Sequence, residues 1–363
     1  MSGEENDAVF EAVVALVPAL LNALEAIQFA GRHLHPPHLA ELVATVGTRD
    51  APLREALDGL RRIDWPERFA FVRDRLEAAS VSTMSAFEGL RTAAGEAGGV
   101  LQAYRALRHY VRAVEALYPL APMLPAISRF FLEEPARGDE MLLQRLAKPR
   151  NGEARAGILE ARNEKTMRGG FSLYVPEYYD AGVAHPLIMA LHGGSGHGRD
   201  FLWTWIREAR TRGAILVSPT SMGDTWSLME PELDIANLER MLAFVREGWN
   251  VDPSRMLLTG MSDGGTFTYL SGLSGESPFT HLAPISASFH PMLLSFMDAE
   301  RMAGLPIHIV HGALDWMFPA AMARSAEEAL KGAGAKVIYH EIADLSHTYP
   351  REENAAIMDW FLG

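Results

Sequence analysis

Ser262 lies in the pentapeptide Gly260-Met261-Ser262-Asp263-Gly264, between the short apolar run 255–259 and a stretch with helical spacing. A serine at such a strand-to-helix corner holds its hydroxyl above the carboxyl edge of a sheet. Small neighbours are needed there because side chains would collide, and Gly260 and Gly264 supply them. The amides that open the following helix, with the positive end of its dipole, face the point where an oxyanion would develop. The chemistry that fits is nucleophilic attack on an acyl carbon. A serine hydroxyl does this only when an imidazole takes its proton and a carboxylate orients that imidazole.

Both partners follow in the chain order serine, acid, histidine. The run 305–310 leads into His311-Gly312-Ala313-Leu314-Asp315, and the run 337–342 leads into Ala343-Asp344-Leu345-Ser346-His347. Asp315 and His347 therefore fall in loops just past strand ends, on the side of the sheet where Ser262 is displayed. Three other carboxylates compete with Asp315. Asp263 is placed to offer its backbone N–H, Asp298 follows no strand end, and Asp344 reads as a turn residue. His281 and His308 sit within apolar runs, and His290 and His311 are assigned to the core or to the walls of the cleft.

The run 187–191 ends in His192-Gly193-Gly194-Ser195-Gly196-His197-Gly198. Backbone amides that stabilise an oxyanion must approach the substrate closely, which favours residues without side chains. The expected donors are the amides of Gly194 and Asp263, with Gly193 as the substitute. A phosphate-binding loop is excluded, since neither its glycine spacing nor a following Lys-Ser/Thr is present. Trp203, Trp205, Trp226, Phe289, Trp316 and Phe318 crowd the loops at the same edge. Of these, Trp226 and Trp316 are expected to line a pocket for an apolar acyl or aromatic group.

The elements that must position these residues occupy the second part of a chain of 363 residues, long enough for two domains. Up to about residue 147, apolar residues recur at three and four, as in Val13, Leu16, Val17, Leu20, Leu24 and Ile27, and no strand pattern intervenes. Residues 1–150 are read as an all-helical domain, serving as a cap or in oligomerisation. Further helices are predicted over 39–46, 51–63, 67–90, 100–117 and 139–147. The polar stretch Lys148-Pro149-Arg150-Asn151-Gly152-Glu153 marks the boundary. Residues 151–363 alternate short apolar runs with helical stretches, the pattern of an α/β domain whose mostly parallel sheet is covered on both faces. Eight strands are predicted, over 157–161, 171–175, 187–191, 215–218, 256–259, 281–286, 307–311 and 337–342. Helices are predicted over 199–212, 233–248, 264–273, 320–332 and 351–361.

Composition narrows the function. A formal net charge of −13 repels phosphate backbones and anionic lipid surfaces, so nucleic acid is not an expected partner. The absence of cysteine removes disulfides, thiolate metal sites and a cysteine nucleophile. The N-terminus, Met1-Ser2-Gly3-Glu4-Glu5-Asn6-Asp7, is acidic where a targeting peptide would be basic, which sets cytoplasmic residence as the expectation. The apolar stretch 9–30 is broken by Glu11, Pro18, Asn22 and Glu25 and is expected to be a buried amphipathic helix, without stable membrane insertion. His33-Leu34-His35-Pro36-Pro37-His38 lacks further ligands at regular spacing and is read as a turn joining helices, so no metal site is expected.

These residues resemble the α/β-hydrolase serine esterases, in particular the phospholipase/carboxylesterase and polyhydroxybutyrate-depolymerase-like branch. The likeness covers roughly 157–363. It rests on His192-Gly193-Gly194, on Val251-Asp252-Pro253-Ser254-Arg255 leading into the Ser262 turn, on His311-Gly312-x-x-Asp315, and on Ser346-His347-Thr348-Tyr349-Pro350. The resemblance implies a cofactor-free acyl-enzyme mechanism on Ser262, with His347 as base and Asp315 orienting it. The expected substrates are small to medium acyl or aryl carboxylic esters. A serine peptidase or amidase, and a non-catalytic binding protein on the same scaffold, are the alternatives. The helical first 150 residues have no counterpart in the minimal family, and a homodimer through them is one expectation.

Overall fold

The computed structural model describes residues 3–96, 98–147, 155–291, 294 and 298–363. The chain divides into two compact units, Met1–Leu143 and Gln144–Gly363. The division falls earlier than the polar stretch 148–153, which lies outside the described residues.

The first unit is helical, as its periodicity requires. Its helices are α1 (Gly3–Arg32), α2 (Leu39–Val46), α3 (Ala51–Arg62), α4 (Ala70–Ala94), α5 (Val100–Leu117), α6 (Pro125–Phe130) and α7 (Glu140–Ala147), the last running into the second unit. Pro36–His38 form a 3-10 turn between α1 and α2. Over Asn6–Arg32, α1 has the length and apolarity that a membrane crossing needs. It packs against α3, α4 and α5, and its Leu16, Leu20, Leu24 and Ile27 are buried. Gly89 of α4 lets α5 approach closely, since a Cβ there would stand 2.6 Å from the Ala106 Cβ. Asp50, buried before α3, pairs with Arg54 at 3.2 Å and with Arg91. Two cations thus compensate one desolvated carboxylate.

The second unit is an eight-stranded sheet in the order β1-β2-β4-β3-β5-β6-β7-β8. The strands are β1 (Gly157–Ala161), β2 (Phe171–Val175), β3 (His185–Leu191), β4 (Ile215–Pro219), β5 (Val251–Met261), β6 (His281–Ile285), β7 (Pro306–Gly312) and β8 (Lys336–Ile342). β2 runs antiparallel to both β1 and β4, and the remaining pairs are parallel. Parallel neighbours need crossovers. These are supplied by α8 (Gly198–Arg212), α9 (Glu232–Gly248), α10 (Asp263–Gly272), α11 (Ala299–Met302) and α12 (Ala320–Gly332), and α13 (Glu353–Leu362) closes the chain. This strand order, with one antiparallel hairpin at an edge, is the α/β-hydrolase architecture.

Burial follows from position in the sheet. β3 and β4 are covered on both faces and read as continuous apolar runs, whereas edge strand β8 alternates exposed and half-buried residues. β5 begins earlier than its apolar run. His185 pairs with Val251 and Leu187 with Met256, so β5 spends five residues where β3 spends two. Pro253 and the Asp252–Ser254 turn, in which the Asp252 carboxylate accepts the Ser254 amide at 2.9 Å, occupy that bulge.

Candidate active site

β5, in the middle of the sheet, ends at Met261, and α10 starts at Asp263. Ser262 alone makes the corner, with φ 57° and ψ −121°. That backbone conformation costs a non-glycine residue on the order of 1–3 kcal/mol, and the surroundings hold it there. The Ser262 amide donates to the Ile285 carbonyl at 3.0 Å, and its own carbonyl accepts the Thr266 amide at 2.8 Å. The corner also requires its glycines. A Cβ on Gly260 would stand 2.4 Å from the Gly264 carbonyl oxygen, and one on Gly264 would stand 2.4 Å from the carbonyl oxygens of Leu191 and His192.

The structure brings the three residues singled out from the sequence together. His347 Nε2 lies 3.0 Å from Ser262 Oγ, and His347 Nδ1 lies 2.8 Å from Asp315 Oδ2. A carboxylate only accepts, so the imidazole hydrogen sits on Nδ1 and the Nε2 lone pair faces the serine hydroxyl. Asp315 and His347 are buried, and Ser262 is half-buried. The amides of Met317 and Phe318 donate to Asp315 Oδ1 at 2.9 and 2.8 Å, which leaves Oδ2 for the imidazole. Phe318 packs edge-on to His347 with ring centroids 5.4 Å apart. His311, expected in the core or a wall, is fully buried at the end of β7. Its Nε2 lies 2.7 Å from the Phe318 carbonyl and 3.4 Å from Asp315 Oδ2. Of the competing acids, Asp298 caps α11 by accepting the Glu300 amide at 2.9 Å. Asp263 accepts the Thr225 hydroxyl at 2.6 Å.

The glycine loop after β3 lies against the Ser262 corner. A Cβ on Gly193 would come to 3.4 Å from the Ser262 Cβ, and one on Gly194 to 2.7 Å from Asp263 Oδ2. The Gly193 carbonyl is held from two sides, by the Gly196 amide at 3.0 Å and by His192 Nδ1 at 2.7 Å. Because the peptide is planar and trans, fixing that carbonyl also fixes the opposite direction of the Gly194 N–H. His192 Nε2 accepts the Ser221 amide at 3.1 Å, so this imidazole carries its hydrogen on Nδ1. Burial pushes its pKa down to about 3, with smaller contributions from the positive charge of Arg168 and from His197, against the opposing pull of the Gly193 carbonyl. His192 is thus a neutral structural pin.

Trp226 requires a correction. It was expected to line the pocket, but it is 2% exposed. Its indole N–H donates to the His192 carbonyl at 2.7 Å and its ring stacks on Phe267 at 5.2 Å. A buried indole needs an acceptor, and the base of the glycine loop provides one, so Trp226 supports the loop from beneath. Trp203, Trp205 and Phe289 are buried as well. Trp316, next to Asp315, is 45% exposed and remains accessible to a ligand.

Several supporting residues escaped the sequence reading. Asp234, fully buried in the first turn of α9, accepts the amides of Met222 and Ser227 at 2.9 and 2.8 Å and the Ser227 hydroxyl at 2.6 Å, which shapes the loop after β4. Arg168, in the β1–β2 turn, donates to Gly196 and Gly223. An isolated charge in a loop carries no periodic signal. Only the acidic first turn of α9 hinted at Asp234. Among the described residues no group of three or more His, Asp or Glu is arranged to hold a metal ion.

The phospholipase/carboxylesterase family matches residues 235–361, the segment that carries Ser262, Asp315 and His347. Among curated proteins, feruloyl esterase C of Emericella nidulans is 29% identical over 147 residues, covering 38% of this chain and 53% of that protein. The bifunctional acetylxylan esterase/xylanase XynS20E of Neocallimastix patriciarum is 27% identical over 182 residues, covering 48% of this chain and 26% of that protein. The chain spans about half the length of the feruloyl esterases it matches. A thermostable esterase of known structure superposes with a TM-score of 0.46 at 20% identity, covering 56% of this chain and 62% of that one.

Proposed function

We propose that this chain, whose second unit is an α/β-hydrolase of the phospholipase/carboxylesterase kind, is a serine carboxylesterase acting on small to medium acyl or aryl esters. The observation that carries the reading is the continuous line Ser262 Oγ to His347 Nε2 at 3.0 Å and His347 Nδ1 to Asp315 Oδ2 at 2.8 Å, beginning at a serine with positive φ. In this reading His347 Nε2 removes the hydroxyl proton as Ser262 Oγ bonds to the ester carbonyl carbon. The negative charge moves to the carbonyl oxygen, where the amides of Gly194 and Asp263, with Gly193 adjoining, receive it. The N-terminal end of α10 adds its dipole. Collapse breaks the bond to the alcohol oxygen, which leaves with the proton held by His347. Water, deprotonated by the same Nε2, then attacks the acyl-enzyme, and the acid departs as Ser262 regains its hydrogen. Throughout, Asp315 stays ionised and stabilises the imidazolium.

The names of the curated relatives support an ester rather than an amide substrate, and an aromatic or acetyl acyl group. Exposed Trp316 beside Asp315 is a surface on which an aryl group can stack. The test is labelling by a fluorophosphonate probe in the parent and in Ser262→Ala, together with turnover of p-nitrophenyl, hydroxycinnamoyl and acetyl esters against peptide amides. Labelling and ester hydrolysis that both vanish in Ser262→Ala, with negligible amide turnover, are expected. Undiminished labelling of the variant overturns the assignment.

A further inference from the structure

Resting on the proposed function, we infer that Arg168 is a positioning residue for the oxyanion-binding amide of Gly194, acting through the carbonyl of Gly196. Arg168 lies in the turn between β1 and β2, a hairpin separated from β5 by two strands of the sheet. Its guanidinium reaches two loops at once. Nη1 donates to the Gly196 carbonyl at 2.7 Å, Nε donates to the Gly223 carbonyl at 2.8 Å, and Nη2 donates to Gly223 and to the Ser221 hydroxyl. Gly196 belongs to the glycine loop after β3. Ser221 and Gly223 belong to the segment after β4.

The same two segments are joined at further points, among them the Gly198 amide, which donates to the Thr220 hydroxyl at 2.9 Å. The Ser195 amide donates to the Asp224 carbonyl at 3.0 Å, the Ser221 amide to His192 Nε2 at 3.1 Å, and the Trp226 indole to the His192 carbonyl at 2.7 Å. These contacts anchor the loop at His192, Ser195 and Gly198. Between them, the Gly196 amide holds the Gly193 carbonyl and so sets the direction of the Gly194 N–H. The Arg168 side chain bonds the Gly196 carbonyl, on the far side of the residue whose amide does this work. A planar fork spreads its donors over several nitrogens in fixed directions, so carbonyls on two segments are met in one geometry, whereas an ammonium offers three rotatable donors from a single point.

The turn is also strained, which gives Arg168 something to oppose. Ser195, between Gly194 and Gly196, has φ 55°, and it would relax by turning the adjoining peptides. That rotation would swing the Gly194 N–H away from the carbonyl oxygen of a bound ester. Burial lowers the pKa of the Arg168 guanidinium, and the negative charges of Asp224 and Asp234 oppose that shift. The bonds of Arg168 run to Gly196, Ser221 and Gly223, so in this reading it acts through the loop and not on the ester. Its effect belongs to the transition state, in which the amide matters, more than to ester binding.

Arg168→Met and Arg168→Lys test the inference, each compared with the parent and with Ser262→Ala. For Arg168→Met, kcat on a p-nitrophenyl ester is expected to fall about ten- to a hundred-fold with KM within about twofold, the scale of a mispositioned catalytic group. The affinity of a trifluoromethyl ketone, which forms a tetrahedral adduct, should fall by the same factor. Guanidinium chloride at low, non-denaturing concentration should restore part of kcat, and the same concentration of sodium chloride should not. Arg168→Lys keeps the charge and much of the stem, so it is expected to fold as the parent does yet to retain the low kcat. Parent-like kcat and ketone affinity in Arg168→Lys overturn the inference. So does a loss in Arg168→Met that appears equally in KM, follows the thermal midpoint and ignores guanidinium. If the parent itself is neither labelled nor active, the esterase reading fails instead, a result that the Ser262→Ala comparison separates from failure of the Arg168 assignment.

Discussion

His192 and Ser221 are joined by a hydrogen bond in which the Ser221 amide donates to the imidazole Nε2 at 3.1 Å. The bond requires a neutral ring. The folded-state pKa, pushed down to about 3 by burial, lies below the ordinary value of 6.5. Between those values the unfolded chain binds a proton that the folded chain refuses, so stability rises with pH through the window. It is fully present above about 6.5 and is lost as pH falls toward about 3, with a slope of up to about 1.4 kcal/mol per pH unit. His281 and His308, also lowered by burial, add to the same trend. Urea unfolding at pH 7.5 and pH 5 should therefore show a steeper loss in the parent than in His192→Asn. Equal slopes would remove His192 as a source of acid lability.

Asp315→Asn leaves the shape of the site unchanged but replaces an acceptor-only group with an amide. The histidine tautomer is then no longer fixed, and the imidazolium loses its counter-charge. A drop in kcat of about 10⁴ with an unaltered thermal midpoint is the expected result, read by ester turnover and by calorimetry.

Trp226→Phe keeps the stack on Phe267 and removes the donor to the His192 carbonyl. A buried carbonyl left without that partner costs about 1–3 kcal/mol. Since this carbonyl anchors the glycine loop, kcat should fall while KM changes little. A variant that loses KM alone would return Trp226 to the pocket wall.

Trp316→Ala is expected to do the reverse. The residue is exposed, so stability should stay within about 0.5 kcal/mol of the parent. Discrimination between aryl and acetyl esters should shrink, because a stacking surface is lost. The ratio of kcat/KM for a hydroxycinnamoyl ester to that for an acetyl ester measures it, and an unchanged ratio would place the acyl group elsewhere.

Gly264→Ala inserts a methyl group 2.4 Å from two backbone carbonyl oxygens at the end of β3. Neither oxygen belongs to a flexible side chain that could step aside. Destabilisation at or above the upper end of the about 1–3 kcal/mol range for overpacked sites is expected, together with loss of activity. Urea denaturation measures the first and ester turnover the second.

The sheet was legible in the sequence because buried parallel strands are short apolar runs punctuated by glycine, proline and polar turns. Gly157–Ala161 and Phe171–Val175 form strands over the expected residues, and Ala320–Gly332 is a helix over its expected span. The first half of β5 was not legible. Pro253 and the Asp252–Ser254 turn look like a loop, and only pairing with His185 of β3 makes Val251 part of the strand. The short helices α6 and α11 also escaped, being too brief to show a period. In the site, Ser262, Asp315 and His347 stand out because strand ends deliver them to one edge. Trp226 was misplaced because an aromatic in an edge loop has the same local sequence whether it faces solvent or the core. Arg168 and Asp234 were invisible because their partners are backbone groups from other segments, which leave no mark in side-chain spacing.

Past its bulge, β5 is hydrogen-bonded over Leu257–Gly260 to β3 on one side and β6 on the other, and its residues Met256–Gly260 are buried. Amides in such a ladder exchange with solvent deuterium only when the whole unit opens, whereas the glycine loop can open by itself. Slow exchange is therefore expected for the strand beneath Ser262, and faster exchange for the loop it faces. On warming, the chain should lose turnover before it loses the protected amides beneath the nucleophile.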